Sequence, residues 1–148
     1  MLKKLLRTED DHAVLILRLL LGIVMFPHGM QKTLGWFGGY GFSGTMNFFT
    51  QQAHIPVPFA FLAIMAESMG SLGLILGCLT RVAAFGVGCN MLVAALMVHA
   101  PNGFFMNWFG QQKGEGIEYH ILALAIVLAL LIKGGGSLSV DRVLARRT

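Results

Sequence analysis

Four stretches of this chain, residues 13–30, 58–79, 82–99 and 117–132, are too apolar and too long to serve as ordinary strands or surface helices. Each has about the 17–25 residues needed to cross a hydrocarbon core, the fourth being slightly short. In that solvent a backbone must satisfy its own hydrogen bonds, which a helix does within one segment. The expected fold is all-α: an integral membrane four-helix bundle, one domain over residues 1–148, with an interfacial segment in the first outer loop. Composition agrees, because only 12% of the 148 residues are charged, about half the share usual in soluble domains. The first stretch stands where a secretory leader would. Glu9, Asp10 and Asp11 precede it and no small-residue cleavage site follows, so it reads as a retained span.

The basic residues orient the bundle. In a four-span arrangement Lys3, Lys4, Arg7, Arg81, Lys133, Arg142, Arg146 and Arg147 fall on one side, and Lys32 and Lys113 on the other. Cytoplasmic loops carry the excess of Lys and Arg, so both termini are expected in the cytoplasm. The net charge of +4 then reflects topology and contact with anionic lipid, not nucleic-acid binding. Cys78 and Cys89, expected near the cytoplasmic ends of the second and third spans, form no C-x-x-C pair and read as buried apolar thiols.

In the first outer loop, "GFSGTMNFFTQQ" places Phe42, Met46 and Phe49 at helical spacing, which predicts a short helix at the membrane surface. The prolines of "HIPVPF" end it, and Pro58 can start the next helix. The short "CLTRVAA" connection makes spans two and three an antiparallel hairpin. Trp36 and Trp108 lie near the outer boundary, where indoles prefer to sit. After the fourth span, "GGGSLSVDRVLARR" reads as a tail on the lipid surface, with Ser139 capping a final short helix.

Polar groups inside a span are costly and need partners. On a helical wheel Arg18, Gly22, Met25 and Gly29 share one stripe, and Lys32 extends it. Arg18 either snorkels to the interface or pairs inside. Pro27 removes one backbone bond, which could swing His28 inward. Glu67 lies roughly 13 Å into the second span, too deep to snorkel, and heads a row of Gly70, Gly73 and Gly77. It is neutral or paired with a cation such as Arg18 or Lys32, and serves as a structural ion pair or as a proton-handling or ligand-binding carboxylate. Asn90 reads as an interhelical hydrogen-bonding group. His99 closes the third span, and Glu118 opens the fourth, where the macrodipole favours a carboxylate. His120 points elsewhere, toward headgroups. No two of the histidines and Glu118 share an i,i+4 spacing, so no metal site is expected. No dinucleotide, Walker or haem motif occurs.

The elements "LRLLLGIVMFPHGMQK", "IPVPFAFLAIMAESMGSLGLILGCLTR", "HAPNGFF", "EYHILALA" and "GGGSLSVDR" stand in an order that resembles the DoxX family of small four-helix bacterial membrane proteins, from about Leu17 to Arg142. The family's recurrent polar residues correspond to Arg18, His28, Gly29, Lys32, Glu67, Thr80, Arg81 and Glu118. The resemblance implies a bacterial inner membrane protein and a membrane redox partner, some relatives being tied to quinone-linked sulfur oxidation. On that expectation Arg18, His28, Lys32, Glu67, His99 and Glu118 surround a quinone, with Glu67, His28 and Lys32 nearest the chemistry and electrons supplied by a partner protein. The alternative is a non-enzymatic scaffold or small-molecule carrier, with the polar residues as interhelical ties. Homo-oligomers are compatible with the Gly73-x-x-x-Gly77 spacing.

Overall fold

The computed structural model describes residues 5–146. Helix α1 spans His12–Thr33, α2 Gly41–Asn47, α3 Val57–Leu76, α4 Thr80–Ala94, α5 Glu118–Lys133 and α6 Val140–Ala145. Among the described residues there is no strand. α1 packs most extensively on α3, α3 on α4, α4 on α5, and α5 closes back on α1. Taken with the π-type and 3-10 turns that prolong it, α4 reaches Asn102. That helix, α1 and α3 are long and apolar enough to cross a membrane. α5 is as apolar but has 16 residues, about 24 Å of helix.

Each boundary has a local cause. The Asp11 carboxylate caps α1 by accepting from the Ala13 and Val14 amides at 2.9 and 3.2 Å, as an N-cap aspartate does. α1 then runs through Pro27 and ends a turn later than hydropathy suggests. Pro56 caps α3, with Pro58 in its first turn, and α3 stops at Gly77, whose φ of 66° suits a residue without a Cβ. Only Cys78 and Leu79 separate Gly77 from the start of α4 at Thr80, so α3 and α4 form the expected hairpin. The short helix expected between the first two spans is α2, continued by a wider turn over Phe48–Gln52 and packed on α1 and α3.

The interior is small and the exterior greasy. Val14, Leu21, Met25, Leu74, Val87, Met91, Val127 and Leu130 form the central cluster, while Ile16, Leu20, Phe59, Leu62, Phe85 and Leu128 lie exposed on the outer faces. With lipid as solvent, the helices are held by close packing instead of water exclusion. Among glycines within the packed helices the tightest approach is at Gly29, where a Cβ would stand 2.6 Å from the Glu67 carbonyl oxygen and the Ser68 Cα. Gly29→Leu is therefore expected to push α1 off α3 and to destabilise the bundle by about 1–3 kcal/mol. Unfolding in mixed detergent micelles checks this; a variant as stable as the parent would mean that the helices do not touch there.

Gly73 and Gly77 do not form an outward dimerisation face. A Cβ on Gly73 would meet Ala83, and one on Gly77 would meet Ser139 and Arg18, so both spaces are filled within the chain. Cys78 sits in the α3–α4 turn as expected, but both thiols are less buried than the sequence suggests and Cys89 lies deeper in its helix. Cys89 lies nine residues into α4, near mid-helix, and is exposed, while Cys78 is half-buried.

Candidate functional site

The polar residues that the sequence groups together divide between the two ends of the bundle. At the end formed by the start of α1, the α3–α4 turn and the tail, Arg18 is fully buried. It does not snorkel and does not meet Glu67. Its Nε donates to the Gly135 carbonyl at 2.8 Å, and Nη1 to Leu74 and Ile75 at 2.6 and 2.7 Å. Nη2 donates to Ser137 and Leu138 at 3.4 and 3.3 Å. A helix leaves its last carbonyls without intrahelical donors, and a guanidinium offers five N–H groups in a rigid fork. Arg18 thus caps α3 from a neighbouring helix and ties it to the tail.

Arg81 repeats the device at the end of α5, donating to Leu131 and Ile132 at 2.9 and 3.0 Å, to Leu5 at 3.1 Å and to Arg7. Asp141 supplies the opposite charge at the opposite kind of helix end. Its carboxylate, 1% exposed, accepts from the Leu79 and Thr80 amides at 2.7 and 2.8 Å where α4 begins. Its own amide donates to Gly77 at 2.9 Å. The tail is therefore not a lipid-surface appendage: Ser137, Ser139 and Asp141 are buried parts of the bundle. Ser139 does cap α6, accepting from the Arg142 amide at 3.2 Å.

The tail is clasped to the residues before α1. Ser137 Oγ donates to Asp10 at 2.6 Å, and Arg142 pairs with the same carboxylate. The Ser137 hydroxyl and the Arg142 guanidinium hold the Asp10 carboxyl below its ordinary range. A depressed folded-state value means that the clasp contributes its full stability above the unfolded value of about 4 and loses it as pH falls through the lower folded one. Protease cleavage within residues 134–146 is accordingly expected to accelerate as pH drops below 4. A rate flat from pH 6 to 3 would contradict the clasp.

At the other end, Glu67 faces inward as expected, 7% exposed. Its Oε2 pairs with Lys32 Nζ from the last turn of α1, and its Oε1 accepts from Asn90 Nδ2 of α4 at 3.3 Å. Asn90 also donates to the Ala63 carbonyl at 2.7 Å. Three helices therefore meet at one carboxylate. The close contact at Gly29, one turn from Lys32, brings the ammonium within reach. On α5 the Tyr119 hydroxyl is buried with no hydrogen-bond partner among the described residues. Sequence reading missed Tyr119; its signal is a phenol beside Glu118 at the start of an otherwise apolar helix.

Among the described residues the other candidates make no hydrogen bond to this trio. His28 is exposed, so Pro27 does not swing it inward. Glu118 Oε1 accepts from the Met106 amide and Trp108 Nε1 at 3.0 and 3.1 Å, which orders the loop between α4 and α5. His99 Nδ1 lies 2.9 Å from the Glu115 carbonyl oxygen, and its ring packs on His120 with centroids 4.2 Å apart. His120 is buried instead of turned to headgroups, and its Nδ1 has no hydrogen-bond partner among the described residues. Among the described residues no cluster of three metal-ligating side chains occurs.

The DoxX family model matches residues 13–100, which hold α1, α3, the α4 helix and the Lys32–Glu67–Asn90 trio. The chain belongs to the DoxX family. Inner membrane protein YqjF of Escherichia coli (strain K12) is 29% identical over 138 residues, covering 93% of this chain and 96% of that protein. No solved structure matches the chain. With its membrane-length helices and inside-out surface, this DoxX protein is an integral membrane protein, similar over 93% of its chain to a bacterial inner membrane protein.

Proposed function

We propose that this DoxX protein is a membrane-embedded, quinone-interacting subunit that serves as redox partner to another protein. One observation carries the reading: a carboxylate–ammonium pair inside the bundle, with a buried phenol hydroxyl on α5 that has no hydrogen-bond partner among the described residues. A quinone head offers two carbonyl acceptors, and its reduction takes up two electrons and two protons. Lys32 and Tyr119 supply donors for the carbonyls, and Glu67 is placed to pass protons. The electrons come from the partner protein, which docks on the exposed aromatic outer loops. Both termini are cytoplasmic in this arrangement, because Arg7, Arg81, Lys133 and Arg142 gather at the end of the bundle opposite Lys32.

The test uses purified full-length protein in detergent with a short-tailed benzoquinone. Thermal stabilisation is expected, lost in Lys32→Met and Glu67→Gln and retained in His28→Ala. No stabilisation, together with no quinone in the organic extract of the preparation, would overturn the reading. A scaffold or small-molecule carrier is the second reading. It is favoured by the fact that Lys32 and Glu67 already satisfy one another. In that case Glu67→Gln lowers stability while quinone has no thermal effect.

A further inference from the structure

A groove of about 640 Å³ runs between α3 and α4 on the membrane-facing side, from Ile55 at the outer end to Leu79 at the inner. That volume lies in the range of small-molecule sites. Its floor is made of small residues, among them Ala63, Ala66, Gly70 and Gly86. Its rims are Phe59, Leu62, Met69, Phe85 and Val93, all exposed on the outer faces of the two helices. A groove so bounded opens sideways into the bilayer, and its walls reject any polar occupant along most of their length.

One polar side chain lines it: Asn90. Both hydrogen-bond partners of its Nδ2, the Ala63 carbonyl and Glu67 Oε1, are acceptors, so the amide orientation is fixed by the network. Oδ1 must then be the free atom. It accepts no hydrogen bond among the described residues and is not sealed from the surroundings. Asn90 sits ten residues into α4, about 15 Å from the start of the helix, a depth at which water is not at hand to supply a donor. An acceptor held there calls for a ligand with a donor.

We propose that the groove takes up a single hydrocarbon chain from the bilayer whose head donates a hydroxyl hydrogen to Asn90 Oδ1. The site touches the quinone reading only through the Asn90–Glu67 hydrogen bond and does not rest on it. The bilayer supplies the occupant, the small-residue floor admits one chain, and the amide selects a hydroxyl head over an ether or ester. Exposed Cys89 lies on the groove wall, so a bulky residue there fills the space without touching the hydrogen bonds of Asn90.

The experiment photolyses a diazirine-bearing long-chain alcohol, and separately its methyl ether, with the full-length protein in lipid nanodiscs, and maps adducts by mass spectrometry. Alcohol adducts are expected on Met65, Met69 and Phe85, about three- to tenfold above those of the ether, the preference that one net hydrogen bond confers. In Cys89→Trp both should fall to the level seen on Ile16 and Leu20 of α1. Equal labelling by alcohol and ether, or adducts spread evenly over all lipid-facing residues, would overturn the proposal. Neither probe contains a quinone, so failure here leaves the benzoquinone result standing, and the reverse holds too.

Discussion

Replacing Arg18 by methionine is expected to destabilise the bundle by on the order of 3–5 kcal/mol. The side chain is fully buried and donates to five carbonyls, three of them in the tail and two at the end of α3. Methionine fills similar space and leaves those acceptors without donors, each at about 1–3 kcal/mol where water does not reach. The total stays below their sum because water enters as the tail loosens. It is still a large share of the 5–15 kcal/mol that typically holds a domain together. Arg18→Lys keeps the charge but offers three donors on a flexible stem, so it should recover only part of the loss. Unfolding in mixed detergent micelles gives the energies, and proteolysis of residues 134–146 reports the tail. An Arg18→Met protein that melts with the parent and keeps its tail protected would show that the guanidinium is no cap.

Cutting the Lys32–Glu67 pair should have the second largest effect, and an unequal one. Glu67 is more deeply buried than Lys32, with 10% against 24% of its side chain exposed. The lysine can turn its ammonium outward when the carboxylate is removed, whereas the carboxylate cannot leave when the ammonium is removed. Lys32→Met is therefore expected to cost about 3–5 kcal/mol, the range for breaking a buried pair from one side. Glu67→Leu should cost less. The double variant should be more stable than Lys32→Met alone, because no unpaired charge remains, giving a coupling of about 1–3 kcal/mol. Additive effects would mean that the two groups do not meet.

How much of this was legible beforehand depended on whether a residue's partner was a side chain or a backbone. Hydropathy located the long helices to within a few residues, because a helix in lipid must be apolar all round. The inward aspect of Glu67 was readable because a short carboxylate at that depth has nowhere else to go, and the polar amide of Asn90 faced the same constraint. The destination of Arg18 was not readable. Its partners are carbonyls of Leu74, Ile75 and the glycine-rich tail, and a carbonyl leaves no mark in a sequence. The tail was misread for the same reason. Gly134 and Gly136 adopt positive φ and fold the chain back under the bundle, which buries Ser137, Ser139 and Asp141, while the amphipathic look of α6 suggested only a surface helix. His28 and Lys32 stand four residues apart, yet α1 continues through Pro27 and turns only the lysine toward α3.

The claim on which the rest depends is the contact of Lys32 with Glu67 inside the membrane. Solid-state NMR of the unaltered chain in lipid bilayers, recoupling lysine ¹⁵Nζ to glutamate ¹³Cδ, addresses it directly, with Glu67→Gln to assign the signal. A strong ammonium–carboxylate cross-peak that disappears in Glu67→Gln is the result expected. A spectrum without that peak, in which the Glu67 side chain correlates with lipid acyl chains, would contradict it.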